Sequence, residues 1–393
     1  MQEFMTPPRI ITGDGCASAL GTEAAALGAR RALLVTDRVL RGATDAVARA
    51  EAALAGAGLK VEVFDAVEPD PMVATARRAA DFARPYGPDL VVGLGGGSPM
   101  DIAKAVAAVL GNAVPLAAMW GVRNVPQPGL PLILLPTTSG TGSEVTPNCI
   151  LTDVKPDGGR MKKGIVSPHI VARVAIVDPL LTLTAPPGIT ASTGMDALTH
   201  AIETYVSVNA QPLTLPLALE SVSLIGRFLR RAVANGADLE ARRHMASASL
   251  LAGLAFANGF LGAVHAIAMA MGGRHNVAHG VANALLLPYV MEWNEMAATE
   301  QFARVAAALG EPVAGLSGRE AAHRASLAVH RLVSDLGLPQ TLGAVGVTQD
   351  GIPGLAEEAF GNQRLLKNNP RTATVKDLAG ILQRVAAGPP RIN

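Results

Sequence analysis

The chain has 393 residues, enough for two domains of ordinary size, and its 33 basic and 32 acidic side chains leave a formal charge of +1. That balance, without any cluster of Lys and Arg interleaved with aromatics, points away from nucleic acid and from an anionic membrane surface. The only cysteines, Cys16 and Cys149, match no metal or disulfide spacing and no secretory leader is read at the N-terminus, so the cytoplasm is the expected compartment.

Up to about residue 180 the pattern alternates. Strands are predicted at 32–36, 61–64, 90–93, 132–135 and 174–177, with Ala-rich helical spacing between several of them, as at 44–54, 72–83 and 102–110. Strand–helix alternation with near-continuous apolar strands predicts a parallel, doubly wound sheet. After Pro186-Pro187 the strand signal stops, and the rest reads as helices broken at 209–212, 235–236, 272–273, 310–312 and 337–339. The expected division is therefore an α/β domain over residues 1–183 and an all-helical domain over 184–393.

Within the first half, the strand at 90–93 runs into Gly95-Gly96-Gly97-Ser98-Pro99-Met100-Asp101 and then a helix. Glycines let a backbone approach a phosphate, and a helix N-terminus offers free N–H groups. Ser98 is the expected N-cap, with Pro99 at the first helical position. The strict dinucleotide fingerprint is absent, because Gly93-Leu94-Gly95-Gly96-Gly97 ends on Ser98. The strand at 132–135 feeds a second loop, Pro136-Thr137-Thr138-Ser139-Gly140-Thr141-Gly142-Ser143-Glu144, whose hydroxyls and bare amides suit a phosphate or ribose. Asp37, after the strand at 32–36, can accept from a ribose 2′-hydroxyl or cap the next helix.

In the second half, Asp196 and His200 are spaced i and i+4 and share one helical face. His265 lies in a run without charged residues from Met245 to Gly273, and His279 follows Gly272-Gly273 to open the next helical segment. One oxygen and three nitrogens converging from separate helices suit a divalent Zn²⁺ or Fe²⁺ ion. The uncharged run exceeds the ~20 residues that span a bilayer. Asn258, His265 and the many small residues fit close helix packing better, so no membrane partner is expected.

Together these segments resemble the iron-containing (group III) alcohol dehydrogenases, relatives of glycerol dehydrogenase and dehydroquinate synthase. The likeness rests on Gly95-Gly96-Gly97-Ser98-x-x-Asp101, on the stretch Thr137 to Thr146, on Gly194-Met195-Asp196-Ala197-Leu198-x-His200-Ala201-x-Glu203 and on the two histidine segments. It implies an N-terminal nucleotide-binding α/β domain and a C-terminal helical domain with the metal in the cleft. By position it implies metal ligands at Asp196, His200, His265 and His279, and a pyrophosphate loop from Gly95 to Asp101. Thr137, Thr138, Thr141 and Thr146 fall near the nicotinamide and ribose, with Asn148 and Lys162 at further cofactor contacts. Asp37 matches an acidic position that favours NAD over NADP. The implied cofactors are NAD and one divalent metal, Fe²⁺ ahead of Zn²⁺, in a homo-oligomer that acts on a small alcohol or aldehyde. One departure stands out: where many members carry a second histidine four residues after the third ligand, this chain has Met269, which cannot relay a proton. A lyase of the dehydroquinate synthase type and a silent assembly protein of the same fold are the alternatives. The first lacks the cationic contacts that a phosphorylated substrate needs, and the intact ligand set argues against the second.

Overall fold

Each of the five predicted strands forms in the computed structural model, which describes residues 3–154 and 158–389. In chain order the strands of the main sheet are β1 (Arg9–Thr12), β2 (Arg31–Val35), β3 (Lys60–Phe64), β4 (Leu90–Gly95), β6 (Leu132–Pro136) and β9 (Val174–Val177). They align in the order β1-β9-β6-β4-β2-β3, parallel throughout. Helices α1 (Leu20–Ala26), α2 (Arg38–Ala43), α3 (Ala46–Gly56), α4 (Val73–Tyr86) and α5 (Gly97–Gly111) connect them. The pleat explains the apolar runs. Leu33 and Val35 of β2 pack in one core with residues of α4 and α5, while Ala32 and Leu34 pack in another with residues of α1 and α3. With both faces covered there is no solvent side to alternate with. A smaller mixed sheet, unforeseen in the sequence, pairs β5 (Gly121–Val122), β8 (Arg160–Val166) and β7 (Asn148–Val154) in that order.

One compact unit spans Met5–Ala185, and the other runs on from Pro186 and takes in the N-terminal Glu3 and Phe4. The second contains ten helices among its described residues: α6 (Pro187–Val206), α7 (Thr214–Ala234), α8 (Leu239–Gly259), α9 (Ala263–His275), α10 (His279–Asn294), α11 (Thr299–Ala308), α12 (Gly318–Asp335), α13 (Ile352–Gly361), α14 (Gln363–Leu366) and α15 (Val375–Ala387). Four of the predicted breaks fall between helices. The break at Gly272-Gly273 does not, because α9 carries both buried glycines and ends at Asn276, which closes it in the left-handed region. The uncharged run is broken earlier, at Phe260 (φ 64°), where α8 and α9 turn by 102°. Among the described residues no single helix is long and apolar enough to cross a membrane.

Candidate metal centre and nucleotide loops

Helix α6 presents Asp196, His200 and Glu203 at i, i+4 and i+7, on one face, and all three are buried. The turn at Phe260 starts α9 in a new direction and brings His265 to that face. His279 is the first residue of α10. Its approach depends on Gly280, where a Cβ would stand 2.4 Å from the Ser192 carbonyl oxygen of α6. A side chain at that position would push the first turn of α10 away and take His279 with it.

These elements place Asp196 Oδ1 at 3.8 Å from His200 Nε2, 3.8 Å from His265 Nε2 and 3.7 Å from His279 Nε2. Such separations are too long for hydrogen bonds. They come close to the roughly 3.3–3.6 Å edges of a tetrahedron with metal–donor bonds of ~2.0–2.2 Å. Asp196, His265 and His279 offer atoms that all lie within 4.8 Å of one another, and His200 joins them through Asp196. Burial alone would raise the Asp196 carboxyl, but the three imidazoles and Asn283 outweigh it and hold it below the ordinary carboxylate value.

Two residues complete the centre that the sequence reading left without a role. Glu203 Oε2 lies 2.6 Å from His265 Nδ1, and its other oxygen accepts from the Val264 N–H at 2.6 Å. A carboxylate there keeps the proton on Nδ1, so the Nε2 lone pair faces Asp196. Asn283, one turn after His279 and with no solvent exposure, donates through Nδ2 to Asp196 Oδ1 at 2.6 Å. The same nitrogen is 3.2 Å from Nε2 of both His265 and His279, while Asn283 Oδ1 is buried without a partner. The spacings i+7 from Asp196 and i+4 from His279 are the signals that could have found them. His200 is held by stacking on Phe256, with ring centres 4.3 Å apart, and on His265 at 4.8 Å. Met269, one turn beyond His265, is half-buried, and its sulfur accepts from Asn362 Nδ2 at 3.4 Å.

In the α/β unit, α5 begins at Gly97 with Gly96 as its N-cap and no side-chain cap. Ser98 therefore is not the N-cap, and Pro99 sits third in the helix. Its missing N–H costs nothing there, since no first-turn donor has an intrahelical partner. Gly95 (φ 149°) adopts a conformation that L side chains rarely do, and a Cβ at Gly97 would stand 2.9 Å from the Thr141 methyl. Strand order reverses between β2 and β4, and in open α/β sheets ligands sit at the carboxyl ends of such strands. Those ends are Thr36-Asp37 and Gly95–Gly97. Buried and without partners, Thr36 Oγ1, Thr138 Oγ1 and Ser139 Oγ are what a ligand with several oxygens could satisfy.

The remaining residues of the implied cofactor set have protein partners. Asp37 Oδ1 accepts from Leu40 N at 2.8 Å and so caps α2. Asp101 takes the Ser143 hydroxyl at 2.7 Å and the Ile150 N–H at 2.8 Å. Lys162 Nζ meets Asp70 Oδ1 at 2.6 Å. The Thr146 and Asn148 carbonyls accept from Lys104 Nζ, and Thr137, after β6, is buried.

Glu144, in the threonine loop, is 2% exposed with Oε2 unpartnered, and burial raises its carboxyl from 4.5 to about 7. Between those values the folded chain holds a proton that the unfolded chain has lost. Stability is therefore full below the lower value and falls as pH rises through the upper. Glu144→Gln cannot ionise, so its stability relative to wild type should rise between pH 5 and pH 8 by up to roughly 3 kcal/mol. Thermal unfolding of both proteins at the two pH values tests this, and a difference independent of pH contradicts it.

Residues 7–179 match the family model "Iron-containing alcohol dehydrogenase", and residues 190–386 match "Fe-containing alcohol dehydrogenase family, C-terminal". The NAD-dependent methanol dehydrogenase of Bacillus methanolicus is 40% identical over 98% of this chain and 99% of its own. The 1,3-propanediol dehydrogenase of Citrobacter freundii is 42% identical over 98% of each chain. A crystal structure of 1,3-propanediol oxidoreductase superposes with a TM-score of 0.95 at 40% identity, covering 98% of this chain and all (100%) of that one. An alcohol dehydrogenase from Oenococcus oeni does so with a TM-score of 0.95 at 36% identity, covering the same shares. By sequence over both halves and by fold, this chain belongs to the iron-containing alcohol dehydrogenase family.

Proposed function

We propose that the protein moves hydride between a small alcohol and NAD by means of one divalent cation held by Asp196, His200, His265 and His279. The observation that carries this is the single carboxylate oxygen faced by three imidazole Nε2 atoms at 3.7–3.8 Å. When bound, the cation supplies Lewis acidity toward the substrate oxygen, and the nicotinamide accepts or returns the hydride. The chain's own part is to hold and orient. Glu203 fixes the His265 tautomer and Asn283 fixes the Asp196 carboxylate. The turn from Gly95 to Ser98 and the uncapped start of α5 receive the pyrophosphate. Thr137, Thr138, Thr141, Thr146, Asn148 and Lys162 are the further cofactor positions we propose. Asp37, beyond its capping bond, would accept from the 2′-hydroxyl of NAD and repel the 2′-phosphate of NADP.

Fe²⁺ is the proposed metal, supported by the family description. A neutral substrate is supported by the scarcity of cations beside the ligand motifs: Arg274, the nearest in sequence, is paired with Glu358 at 2.8 Å. The relatives are dehydrogenases and reductases by name, which favours this reading over a lyase of the dehydroquinate synthase type. A cytoplasmic location is supported by the unpaired Cys16 and Cys149, and a homo-oligomer by family likeness. The test is metal analysis of the purified protein by plasma mass spectrometry with a screen of short alcohols against NAD and NADP. Near-stoichiometric metal and NADH formation are expected. Metal-free protein with full turnover would defeat the proposal.

Met269 gives a narrower test. A thioether carries no proton, so the wild-type pH profile of kcat/KM for alcohol oxidation should lack a titration from this position. Met269→His puts an imidazole, with an unperturbed pKa of ~6.5, one turn from His265. It should add a titration near neutral pH without loss of metal. If the two profiles coincide and only substrate-size preference moves, Met269 is a pocket wall and no relay starts there.

A further inference from the structure

Helix α9 carries His265 as its third residue and begins without a cap of its own, because its N-cap is Gly262. Its first free N–H groups are taken by residues far away in the chain. Val264 N donates to Glu203 Oε1 at 2.6 Å, and Ala263 N donates to Asn369 Oδ1 at 3.4 Å. Gly262 lies between the two acceptors, where a Cβ would stand 3.0 Å from Asn369 Oδ1 and 3.3 Å from Glu203 Oε1. Asn368 adds a third hold on the same turn, donating from Nδ2 to Leu261 O at 3.0 Å. Asn369 also reaches α10, the helix that opens on His279. With Asn294, the last residue of α10, it exchanges a pair of amide bonds: Asn294 Nδ2 donates to Asn369 Oδ1 at 3.0 Å, and Asn369 Nδ2 donates to Asn294 Oδ1 at 2.8 Å. Its second N–H goes to Arg371 O at 2.7 Å. Two bonds accepted and two donated use all that a primary amide has, in a side chain that is buried. An amide so fully engaged has nothing left to offer a ligand. Its work is to tie the start of one ligand-bearing helix to the end of another.

We propose that Asn369, paired with Asn294, is a positioning residue for the metal centre. It sets where α9 starts relative to α10, and so where His265 Nε2 stands relative to Asp196 and His279. This rests on the metal reading given above. The role differs from that of Glu203, which orients the ring of His265 once the helix is in place. Asn369 places the helix itself. Loosening it should therefore change the geometry of the ligand set, while the bond from His265 Nδ1 to Glu203 stays available.

The test is Asn369→Ala in the full-length chain, with Co²⁺ as the probe ion because its visible absorption reports ligand geometry. Co²⁺ affinity is measured by chelator competition at a temperature where the variant is folded, alongside the absorption spectrum. The dissociation constant should rise about tenfold, the lower end of what losing an outer partner of a metal ligand costs, and the bands should shift. Asn294→Ala keeps the bond to Ala263 and loses the tie to α10. It should do the same more mildly, and it decides the matter if Asn369→Ala does not fold. Ser221→Ala is the control: it removes a buried 2.8 Å bond to Ala248 O, between α7 and α8. It should lower the unfolding temperature and leave Co²⁺ affinity and spectrum as they are. Wild-type affinity and spectrum in the folded asparagine variants would overturn the proposal, and so would an equal change in Ser221→Ala. Failure of the wild-type chain to bind Co²⁺ would overturn the metal reading itself, which is a separate result.

Discussion

His279→Ala is expected to purify folded, with little bound metal and with activity down more than ~100-fold. That bound follows because losing only a hydrogen-bond partner of a metal-ligating histidine typically costs ~10–100-fold in affinity or activity, and a lost ligand should cost more. His279 is the cleanest of the four positions to remove. Its side chain is 38% exposed, at the first residue of a helix, so truncation opens no closed cavity. His265→Ala tests the same idea less cleanly. That ring is 5% exposed, stacks on His200 and is the partner of Glu203. Its removal would add a packing cost of the ~2–5 kcal/mol seen for large-to-small core changes and would strand a buried carboxylate. Plasma mass spectrometry, circular dichroism and NAD-linked turnover on His279→Ala separate loss of metal from loss of fold. Full metal with near-normal turnover would show that His279 is not a ligand.

How far the sequence could be read depended on whether the signal was local. The strands buried on both faces were legible because their apolar runs are uninterrupted, as in Leu90–Gly95. β1 was not, since it has four residues, none of them fully buried, and is defined by its pairing with β9. The β7–β8 ladder was hidden by polar and charged residues such as Lys162 and Lys163, which suit a half-exposed sheet. Gly272-Gly273 was read as a break because glycine weakens helices, yet tertiary packing kept both inside α9. The true break at Phe260 follows Asn258-Gly259, a turn dipeptide that was passed over inside an apolar run. Packing fixes the turn there, with Gly259 tight against the Thr204 methyl and Phe260 at positive φ.

The site shows the same division. Asp196 and His200 were legible from their spacing, and the two later histidines from being polar in apolar sequence. Glu203 lay within a motif but carried no visible role, because its partner is sixty-two residues away. Lys104 gave no signal at all. A lysine in an alanine-rich helix usually covers a solvated face, and only the fold turns this one inward.

Glu203→Gln is expected to lower metal affinity ~10–100-fold while leaving the fold and all four ligand side chains in place. The substitution keeps the shape and changes only what the two terminal atoms can do. In the wild type both oxygens accept, Oε2 from His265 Nδ1 and Oε1 from the Val264 N–H, each at 2.6 Å. A glutamine has one acceptor and one donor, so one of those bonds must fail. If the amide nitrogen faces Val264, two N–H groups meet in a buried site, and the unpaired donors cost about 1–3 kcal/mol. If it faces His265 instead, the favoured tautomer carries its proton on Nε2, where the lone pair is wanted for the cation. The first arrangement keeps the tautomer at the cost of the clash at Val264 and the second loses it, so the imidazole is held ready for only part of the time. The measurement is metal affinity by chelator competition, alongside thermal unfolding of the metal-depleted proteins. A variant that unfolds earlier yet binds metal as tightly as wild type would make Glu203 a packing residue only. Weaker metal binding with little change in that stability would place its effect on the tautomer of His265.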